Sequence, residues 1–511
     1  MTSVATKPAG GLQEIPDVSL PALPTHRPLR ILLVKPDISD VSVGFATLAR
    51  VPPLELITVA GIVPQHEVRV FDARLETEGA FVSELRDLQP DLVGMTAYSA
   101  EAEQAKAMCR LAKSVCEGIV VVQGGYHASM APADALNEPA VDFIARFEAE
   151  QTLPELLAAL QNGDGFNEVA GIGYVADERV WLTPRRAPLP ELDATPFPRW
   201  DLVARYQRRY YLNVLGHVAT LETTRGCRYD CSFCSVWVFY DRLYRKKSAG
   251  RVLEEMERLP ASDVVGFVDD EFWVDGRRSL ELADRISAKP RDWGGKARRY
   301  FAQVRISDIR RTPELVARWG RAGMKVLLLG IESHKQDEVD SLHNKRTNLA
   351  HADFALRTMR EHGVEAWGCF IVNPEWEEQD FDDLAEFVVR HDIAFPQFTV
   401  LTPLPGTRLT DRLVASGKLE LSKLQFPLLD FLHAAVPTRL PLRRFYEKVA
   451  QLYARTSMEG NLTLYRRALH NGVINREWLR SDMGRKVRAV FAQLADPESY
   501  LRAHRMLGQD V

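Results

Sequence analysis

The sequence predicts an α/β protein with two consecutive, mainly parallel sheets and a helical C-terminal region. Short continuous apolar runs alternate with amphipathic helical windows, which is the pattern of strands buried on both faces and joined by helical crossovers. The alternation occurs twice along the chain, with a proline-rich stretch between the two series. A length of 511 residues is sufficient for two to four domains, each with its own core.

Composition excludes several classes of protein. Six cysteines in 511 residues cannot form a disulfide scaffold, and the N-terminus carries no secretory apolar region, so we expect a cytoplasmic protein with reduced thiols. With 65 basic and 69 acidic side chains the net charge is -4, which argues against nonspecific binding to nucleic acid, and we expect no nucleic-acid partner. The longest apolar runs have the length of a strand and are too short to span a bilayer.

The first domain is predicted at residues 28–190, after a disordered, proline-rich tail at residues 1–27. Its five apolar runs predict a doubly wound, Rossmann-like parallel sheet. Ligands of such sheets bind beyond the carboxyl ends of the strands, so the loops after Val34, Met95 and Val122 are the first candidates for a binding site. The predicted strands are residues 31–34, 68–71, 92–95, 119–122 and 141–144.

A proline-rich linker at residues 191–215, predicted to be extended, leads into a second domain at residues 216–410. Its six apolar runs are too few for an eight-fold barrel and predict a partial (β/α)6 barrel, with its chemistry at the carboxyl ends of the strands. Residues 411–511 are predicted to be a mainly helical region, with residues 442–456 as the clearest amphipathic segment. The predicted strands are residues 218–223, 264–268, 299–304, 326–329, 365–371 and 398–401.

Three cysteines follow the first strand of the second domain, in the order Cys227, Cys231 and Cys234. Gly226 precedes them, and the three thiolates can converge on one soft metal centre. Three protein ligands on a cubane iron–sulfur cluster leave one iron open for a substrate or cofactor. A structural zinc site needs a fourth cysteine or histidine, which does not follow at the usual spacing. Zinc and free thiols stay open as alternatives at this point.

The pattern formed by Cys227, Cys231, Phe233 and Cys234 after the first strand of a partial barrel resembles the radical SAM superfamily. The resemblance implies that the three cysteines hold a 4Fe-4S cluster whose open iron binds S-adenosylmethionine. It also implies that one electron cleaves the sulfonium to give a 5'-deoxyadenosyl radical. An electron donor such as flavodoxin or ferredoxin is therefore an expected partner.

Further elements of that superfamily occur in order at the ends of the following strands. An acidic group ends the second strand, where the family receives the methionine ammonium, and polar residues end the third, where the family contacts the ribose and carboxylate. Taken singly, the acidic residues are more often solvated than functional, and an arginine at a strand end more often pairs with an acid than binds a ligand. Their placement at consecutive strand ends favours a joint role. The S-adenosylmethionine contacts that the resemblance implies are Phe233, Asp269, Asp270, Glu271, Gln303, Arg305 and Glu332.

The first domain resembles the cobalamin-binding domain of class B radical SAM enzymes. The usual first motif supplies a histidine to cobalt, whereas the loop at residues 35–40 contains none, so the resemblance implies cobalamin without a protein base on its lower face. Paired glycines allow the backbone to approach the nucleotide tail closely. The implied cobalamin contacts are Thr96, Tyr98, Ser99, Gly124, Gly125, Tyr126, His127 and Glu148. A domain with no ligand, or with a different one, stays open as an alternative.

The two resemblances together imply a cobalamin-dependent radical SAM methyltransferase. In that family the radical removes hydrogen from an unactivated carbon, and methylcobalamin delivers a methyl group to this carbon. Residues 226–247 and 432–446 further resemble the hopanoid C-3 methylase branch, whose substrate is a pentacyclic triterpenoid. The implied partner is a small-molecule or lipid-like substrate. The aromatic and basic run at residues 237–247 leaves open a peripheral contact with a membrane.

Three other functions are weighed against this one. Cobalamin-dependent relatives also close or rearrange rings without transferring methyl, and the sequence does not separate these outcomes. A noncatalytic cobalamin carrier or sensor is disfavoured by the intact cysteine triad. Methylthiolation of tRNA is disfavoured because that class has a second triad in its first domain, whereas Cys109 and Cys116 here lie on one predicted helix. We expect these two to be core thiols and Cys369 to be structural.

Overall fold

The computed structural model describes residues 4–6, 23–43, 49–163, 165–212, 215–290, 299–345, 347–456, 462–474, 477 and 480–509. Two compact units divide the chain. The first comprises Met1–Asp40, Pro53–Tyr206 and Phe239–Asp241, and the second comprises Val41–Pro52, Gln207–Val238 and Arg242–Val511. The main change of unit, after Tyr206, falls inside the linker predicted at residues 191–215.

The secondary structure alternates strands and helices through both units. In chain order, the strands are β1 Val4–Thr6, β2 Arg30–Lys35, β3 Ala49–Arg50, β4 Glu67–Asp72, β5 Leu92–Thr96, β6 Val120–Gly124, β7 Phe143–Ala145, β8 Ile172–Ala176, β9 Arg179–Leu182, β10 Tyr211–Leu212, β11 Gly216–Leu221, β12 Thr224–Arg225, β13 Arg245–Lys246, β14 Val264–Phe267, β15 Tyr300–Val304, β16 Met324–Glu332, β17 Glu365–Val372 and β18 Phe395–Val400. The α-helices are Leu54–Ile62, Glu78–Leu88, Ala102–Val115, Gly125–Met130, Pro132–Leu136, Thr152–Asn162, Val236–Phe239, Ala249–Arg258, Gly276–Ser287, Ile306–Arg311, Glu314–Ala322, Ala352–Glu361, Glu378–Arg390, Arg408–Ala415, Leu442–Thr456, Leu462–His470, Asp482–Leu494 and Pro497–Met506.

The first unit is built on one sheet with the strand order β1-β9-β8-β7-β6-β5-β2-β4. The five strands β4, β2, β5, β6 and β7 are parallel neighbours, which confirms the predicted doubly wound sheet. Ile31 lies opposite both Val68 and Leu92 in this register. Leu32 and Val93 are fully buried, as expected for strands that carry helices on both faces of the sheet.

The strand order reverses at β2, because β4 lies on one side of this strand and β5 on the other. The carboxyl ends of β2, β5 and β6 are therefore neighbours at the switch point, where doubly wound sheets bind their ligands. These are the three loops that the sequence singled out.

The structure corrects two parts of the prediction for the first unit. Val4–Thr6, which we expected to be disordered, pairs in parallel with Val180–Leu182 at the edge of the sheet, and residues 1–3 and 7–22 of the predicted tail lie outside the described residues. The hairpin β8–β9 was not predicted. Its turn residues Asp177 and Glu178 have φ of 48° and 58°, as a two-residue hairpin turn of this type requires. The available signal was the acidic pair Asp177 and Glu178 between two short apolar runs, residues 172–176 and 180–182.

The second unit contains the six strands predicted for the partial (β/α)6 barrel. β11, β14, β15, β16, β17 and β18 are consecutive parallel neighbours. Two short strands, β10 and β3, extend the sheet by antiparallel pairing beyond β11. The linker is not extended throughout, because Trp200–Arg209 forms a 3₁₀ helix. Tyr206, Tyr210 and Tyr211 are fully buried in this region, and burial of these rings favours a folded path over an extended one.

Helices outside the barrel strands complete the core of the second unit. Trp319, on the helix Glu314–Ala322, packs edge-on against Phe267 and Phe272 with centroid distances of 5.4 and 4.9 Å. In the C-terminal region the helix Leu442–Thr456 has the predicted bounds, and Phe445 and Val449 lie on its buried face. Among the described residues, no helix is both long and apolar enough to cross a membrane.

Candidate functional site

The loop that carries the three cysteines starts after β12 and turns at Gly226. Gly226 has a φ of +82°, which glycine adopts without strain, and its backbone N–H donates to Asp270 Oδ2 at 3.1 Å. Asp270 follows β14, and burial raises the pKa of its carboxyl to about 7 although the Gly226 hydrogen bond lowers it. The carboxyl end of β14 therefore holds the start of the cysteine loop.

Asp269 fixes the chain segment that precedes this loop. Its Oδ1 accepts from the backbone N–H of Thr223 at 2.5 Å and of Thr224 at 2.8 Å, and its Oδ2 accepts from Thr223 Oγ1 at 2.5 Å. Burial raises the pKa of Asp269 to about 6 against these hydrogen bonds. Because both carboxylate oxygens accept hydrogen bonds from the protein, Asp269 positions the segment that leads into the loop.

Cys227, Cys231 and Cys234 converge closely enough for their charges to interact. Burial raises the pKa of Cys227 and of Cys234 to about 12, with the neighbouring cysteines as further causes. All three thiols are free of disulfides. A soft metal centre binds thiolates and removes the proton that burial otherwise retains.

The three sulfur atoms are not among the sets of ligand atoms of the described residues that already lie close enough together to surround one ion. Among the described residues, three metal-binding side chains bring their ligand atoms within 4.8 Å of one another only at His334, Asp380 and Asp383. A tetrahedral zinc ion with Zn–S bonds of about 2.3 Å requires sulfur atoms well inside that separation. Three free thiols are the donor set that a cubane iron–sulfur cluster with one open iron would need.

Arg305 places a positive charge beside one of the cysteines. It follows β15, is 4% exposed, and directs Nη1 to Cys231 Sγ at 3.8 Å. Its guanidinium lies 3.7 Å from the centre of the Tyr229 ring, and its Nη2 donates to Thr347 Oγ1 at 3.3 Å and to the Lys345 carbonyl oxygen. A positive charge therefore lies in contact with one sulfur atom of the triad.

Glu332 and Gln303 lie at the ends of the neighbouring strands. The register of β16 and β17 shifts between Gly330 and Glu332, and Glu332 has a φ of +72°. This bulge aims the carboxylate at Lys345, with which it forms a buried ion pair. Gln303 Nε2 donates to the Asp270 carbonyl oxygen at 2.7 Å. The sequence did not indicate Lys345, because it lies in a loop with no recognisable motif.

Glu271 and Asp308 bring two carboxyl groups together inside the second unit. Burial raises the pKa of Glu271 well above its ordinary value, and Asp308 raises it further, whereas Arg305 and Lys345 lower it. An ammonium ligand beside this carboxyl would favour its charged form. Asp308 was not found from the sequence, since it lies on the short helix that follows β15.

Phe233 belongs to an apolar cluster. Its ring meets the ring of His343 edge-on, with 5.4 Å between centroids, and it packs against Ile371 and Leu401. Packing beneath the cysteine loop is the role that these contacts support.

In the first unit, Gly125 allows the loops after β5 and β6 to approach each other closely. Its φ is +86°, and a Cβ at this position would lie 2.6 Å from Thr96 Oγ1 and 3.2 Å from the Ala97 backbone. The backbone N–H of His127 donates to the Ala97 carbonyl oxygen at 3.0 Å. Thr96, Gly124 and Gly125 therefore form a narrow cradle of backbone at the switch point.

Three aromatic rings, those of Tyr98, Tyr126 and Phe239, form a stack next to this cradle. Tyr98 is 55% exposed and stacks on Tyr126 at 5.8 Å, and Tyr126 stacks on Phe239 at 4.3 Å. Lys35 Nζ lies 4.7 Å from the centre of the Tyr98 ring and pairs with Glu101 at 2.7 Å. The exposed face of Tyr98 is an apolar surface on which a flat macrocycle can rest, and it offers no imidazole.

Ser99, His127 and Glu148 are engaged within the protein. His127 is fully buried, with Nδ1 3.4 Å from Ser99 Oγ and Nε2 2.9 Å from Asp134 Oδ2. Glu148 accepts from the backbone N–H of Leu189 at 3.0 Å. These contacts support a role in shaping the loops.

The other three cysteines have surroundings unlike those of the triad. Cys109 is fully buried in the core of the first unit, and the partly buried Cys116 packs against the same core, as expected for core thiols. Burial strongly raises the pKa of Cys369 in β17, which keeps this thiol protonated.

Two family models match the two units. The model described as the B12 binding domain matches residues 43–157, and the model of the radical SAM superfamily matches residues 221–388. The first match covers the loops after β5 and β6, and the second covers the cysteine loop and the strands β14 to β17. Each candidate site therefore lies in the domain that its residues indicated.

Two relatives are similar over most of the chain. Hopanoid C-3 methylase of Methylococcus capsulatus is 29% identical over 407 residues, which is 79% of this chain and 76% of the relative. Anaerobic magnesium-protoporphyrin IX monomethyl ester cyclase of Rubrivivax gelatinosus is 29% identical over 364 residues, which is 68% of this chain and 63% of the relative.

The fold is shared with a solved structure. The radical S-adenosylmethionine methyltransferase TsrM of Kitasatospora setae, solved with cobalamin and a 4Fe-4S cluster, superimposes with a TM-score of 0.64 at 15% identity. The match covers 94% of this chain and 99% of TsrM, so it includes both domains and shows that their folds agree.

Proposed function

This chain belongs to the cobalamin-dependent radical SAM methyltransferase family, and on that premise we propose that it methylates an unactivated carbon of a lipid-like small molecule. When bound, the 4Fe-4S cluster and S-adenosylmethionine supply a 5'-deoxyadenosyl radical that abstracts hydrogen, and cobalamin supplies the methyl group. The observation that carries the proposal is the convergence of three free thiols at the barrel end, in one chain with a backbone cradle at the switch point of a doubly wound sheet.

In the second unit, the proposed work of the protein is to hold and orient. Cys227, Cys231 and Cys234 hold the cluster, and Arg305 places its guanidinium beside the Cys231 sulfur. Asp270 and Glu271 are the candidates for the methionine ammonium, because their buried carboxyl groups gain a favourable charge partner when a cation binds. We assign the remaining predicted contacts with S-adenosylmethionine to Gln303 and Glu332, and we assign positioning to Asp269 and packing to Phe233.

In the first unit, the cradle and the aromatic stack are the candidate cobalamin contacts. The backbone at Thr96, Gly124 and Gly125 suits close approach to the nucleotide tail, and Tyr98 with Tyr126 suits the face of the corrin. We assign Ser99, His127 and Glu148 to support of these loops. The loop at residues 35–40 has no histidine to offer to cobalt, and cobalamin held there without a protein base would be disposed to give up a methyl group.

The substrate class is proposed from the relatives. One of the relatives acts on a hopanoid, by its name, and the sequence resembles that branch at residues 226–247 and 432–446. We propose a pentacyclic triterpenoid or a similarly rigid, apolar molecule. Such a substrate would bring the protein into peripheral contact with a membrane, which flotation with lipid vesicles tests.

Transfer of labelled methyl tests this function. The anaerobically reconstituted protein is incubated with methyl-labelled S-adenosylmethionine, cobalamin, dithionite and a hopanoid extract. We expect label in a product one methyl group heavier than the substrate, together with 5'-deoxyadenosine in an equal amount. 5'-deoxyadenosine without label in any product would contradict methylation.

Ring closure without methyl transfer is the second candidate. It is retained because the magnesium-protoporphyrin ester cyclase has the same identity of 29%, although over 364 residues against 407 for the methylase. The same assay separates the two, since a cyclisation forms 5'-deoxyadenosine and an unlabelled product. A noncatalytic carrier would bind cobalamin and form no 5'-deoxyadenosine.

The proposed reaction also needs an electron for each cleavage of S-adenosylmethionine. A low-potential carrier such as flavodoxin or ferredoxin is the proposed donor.

A further inference from the structure

We propose that Trp237, Arg242, Arg408 and Arg412, which we call the Trp237 face, form the docking surface for a small acidic one-electron carrier of the flavodoxin type. The proposal rests on the proposed function, because such a surface has a use only if the cysteine site takes up an electron. In the step concerned, the carrier's reduced centre loses one electron and the site held by the three cysteines gains it.

Trp237 connects the face to the cysteine loop. Its indole Nε1–H donates to the carbonyl oxygen of Cys231 at 2.9 Å. The ring is partly exposed, so one hydrogen bond separates a side chain at the surface from the backbone of a proposed cluster ligand. A carrier that docks on Trp237 therefore sits on a short covalent and hydrogen-bonded path to the cluster.

Positive charge surrounds Trp237. The guanidinium groups of Arg242 and Arg408 each lie 4.8 Å from the centre of its ring. Arg412 lies one turn after Arg408 on the helix Arg408–Ala415, hence on the same helix face, and Arg412 Nη2 donates to the Leu342 carbonyl oxygen at 2.9 Å.

The charges of this face are only partly neutralised. Arg408 pairs with Asp230 at 3.1 Å and keeps 41% of its side chain exposed. Arg242 and Arg412 are exposed, and within the described part of the chain neither forms an ion pair with a carboxylate. Arg242 and Arg412 are thus two exposed cations of this face that no carboxylate of the described residues engages in an ion pair, although Asp241 and Asp411 lie beside them in the sequence, and such unpaired cations attract and orient an acidic partner.

The backbone holds Arg242 in place at a conformational cost. Asp241 and Arg242 have φ of 55° and 59°, so two successive residues other than glycine occupy the left-handed region. The Arg242 N–H donates to the Trp237 carbonyl oxygen at 2.7 Å, which closes the turn and brings the guanidinium over the ring. Strain that serves to place an exposed charge points to a binding role.

A membrane is a poorer occupant of this face. Insertion into lipid requires apolar side chains that can leave the protein surface. Trp237 cannot do so, because its indole is tied to the cysteine loop and flanked by two guanidinium groups. Such an arrangement favours carboxylates of a protein partner over an acyl layer.

Direct binding tests the proposal without relying on turnover. The probe is an oxidised acidic bacterial flavodoxin, titrated by calorimetry into the reconstituted protein at low and at high salt. The variants are Arg242→Glu, Arg412→Glu and the double variant. The control is Arg357→Glu, an exposed arginine in the middle of the outer helix Ala352–Glu361. We expect the double variant to weaken binding by about tenfold or more at low salt, and the control by less than about twofold.

A second measurement separates docking from the chemistry of the site. With dithionite as reductant, the rate of S-adenosylmethionine cleavage should be the same in the wild type, the double variant and the control. With reduced flavodoxin, only the double variant should be slower. Unchanged flavodoxin affinity in the double variant would overturn the proposal. It would also be overturned if the double variant no longer bound anionic vesicles but still bound flavodoxin, because the face would then be a lipid contact. A wild type that contains no iron and cleaves nothing with dithionite would instead refute the proposed function.

Discussion

Gly125 combines two separate constraints at the proposed cobalamin cradle. Its φ of +86° disfavours any side chain, and a Cβ atom added here would lie only 2.6 Å from Thr96 Oγ1. Gly118, in the same unit, has a φ of +73° and no atom within 4 Å of its Cβ position. Comparing an alanine substitution at Gly125 with one at Gly118 therefore separates the effect of backbone conformation from the effect of close approach.

We predict that Gly125→Ala weakens cobalamin binding by about tenfold or more, because Thr96 and the loop after β5 must move away from the cradle. Gly118→Ala should carry only the conformational cost of about 1–2 kcal/mol in stability and leave affinity unchanged. Spectrophotometric titration with hydroxocobalamin measures both affinities. Equal affinity in the two variants would show that the cradle does not contact the cofactor.

The cysteine triad could be predicted because its residues are neighbours in sequence, and local spacing alone brings their side chains together. Lys345 and Asp308 could not be predicted in this way. Each meets its carboxylate partner, Glu332 or Glu271, only through the packing of separate strand ends, and neither has a local pattern that marks it.

At the scale of elements, Asp91 links the starts of β2 and β5, which are parallel neighbours at the switch point. It lies just before β5 and accepts from the N–H of Arg30 at 2.8 Å and from the Arg27 guanidinium at 2.7 and 2.8 Å. Burial alone would raise the pKa of Asp91, but these hydrogen bonds and the charges of Arg27 and Arg30 hold it below its ordinary value of 3.8.

We predict that Asp91→Asn destabilises β2 by about 1–2 kcal/mol at pH 7, because a neutral amide replaces the carboxylate that accepts the charge-assisted hydrogen bonds of Arg27. The effect is modest because Arg27 is partly exposed to solvent. A carboxyl whose pKa is lowered by folding contributes stability above its unfolded pKa and loses it as the pH falls through the folded value. The difference between wild type and variant should therefore be constant from pH 7 to about pH 5 and shrink below pH 4. Hydrogen exchange of the β2 amides measures this stability difference. A difference that grows on acidification would contradict the stabilising role assigned to the Asp91 carboxylate.

The parallel strands were predictable because their continuous apolar runs indicate burial on both faces of the sheet. The hairpin β8–β9 and the edge strands β10 and β3 were not, since each is short and pairs antiparallel at the margin of a sheet. The 3₁₀ helix Trp200–Arg209 was not predicted, because the prolines that precede it indicate an extended segment. Its buried Val203 and Tyr206 show that it packs against the protein.

At the scale of the whole molecule, the two candidate sites lie in different units. The contacts that build the cradle around Thr96 and Gly125 come from the first unit, and those that hold the three cysteines come from the second. Loss of one site should therefore leave the other able to bind its cofactor. This independence is the part of the domain organisation that the sequence predicted and that solution experiments can test.

Metal and cobalamin content of the anaerobically reconstituted protein tests the central claim most directly. We predict about four irons and about one cobalamin per chain in the wild type. Cys231→Ala should lose the iron and retain the cobalamin, and Cys116→Ser, which alters a thiol outside the triad, should retain both. Zinc without cobalt in the wild type, or joint loss of iron and cobalamin in Cys231→Ala, would contradict the account.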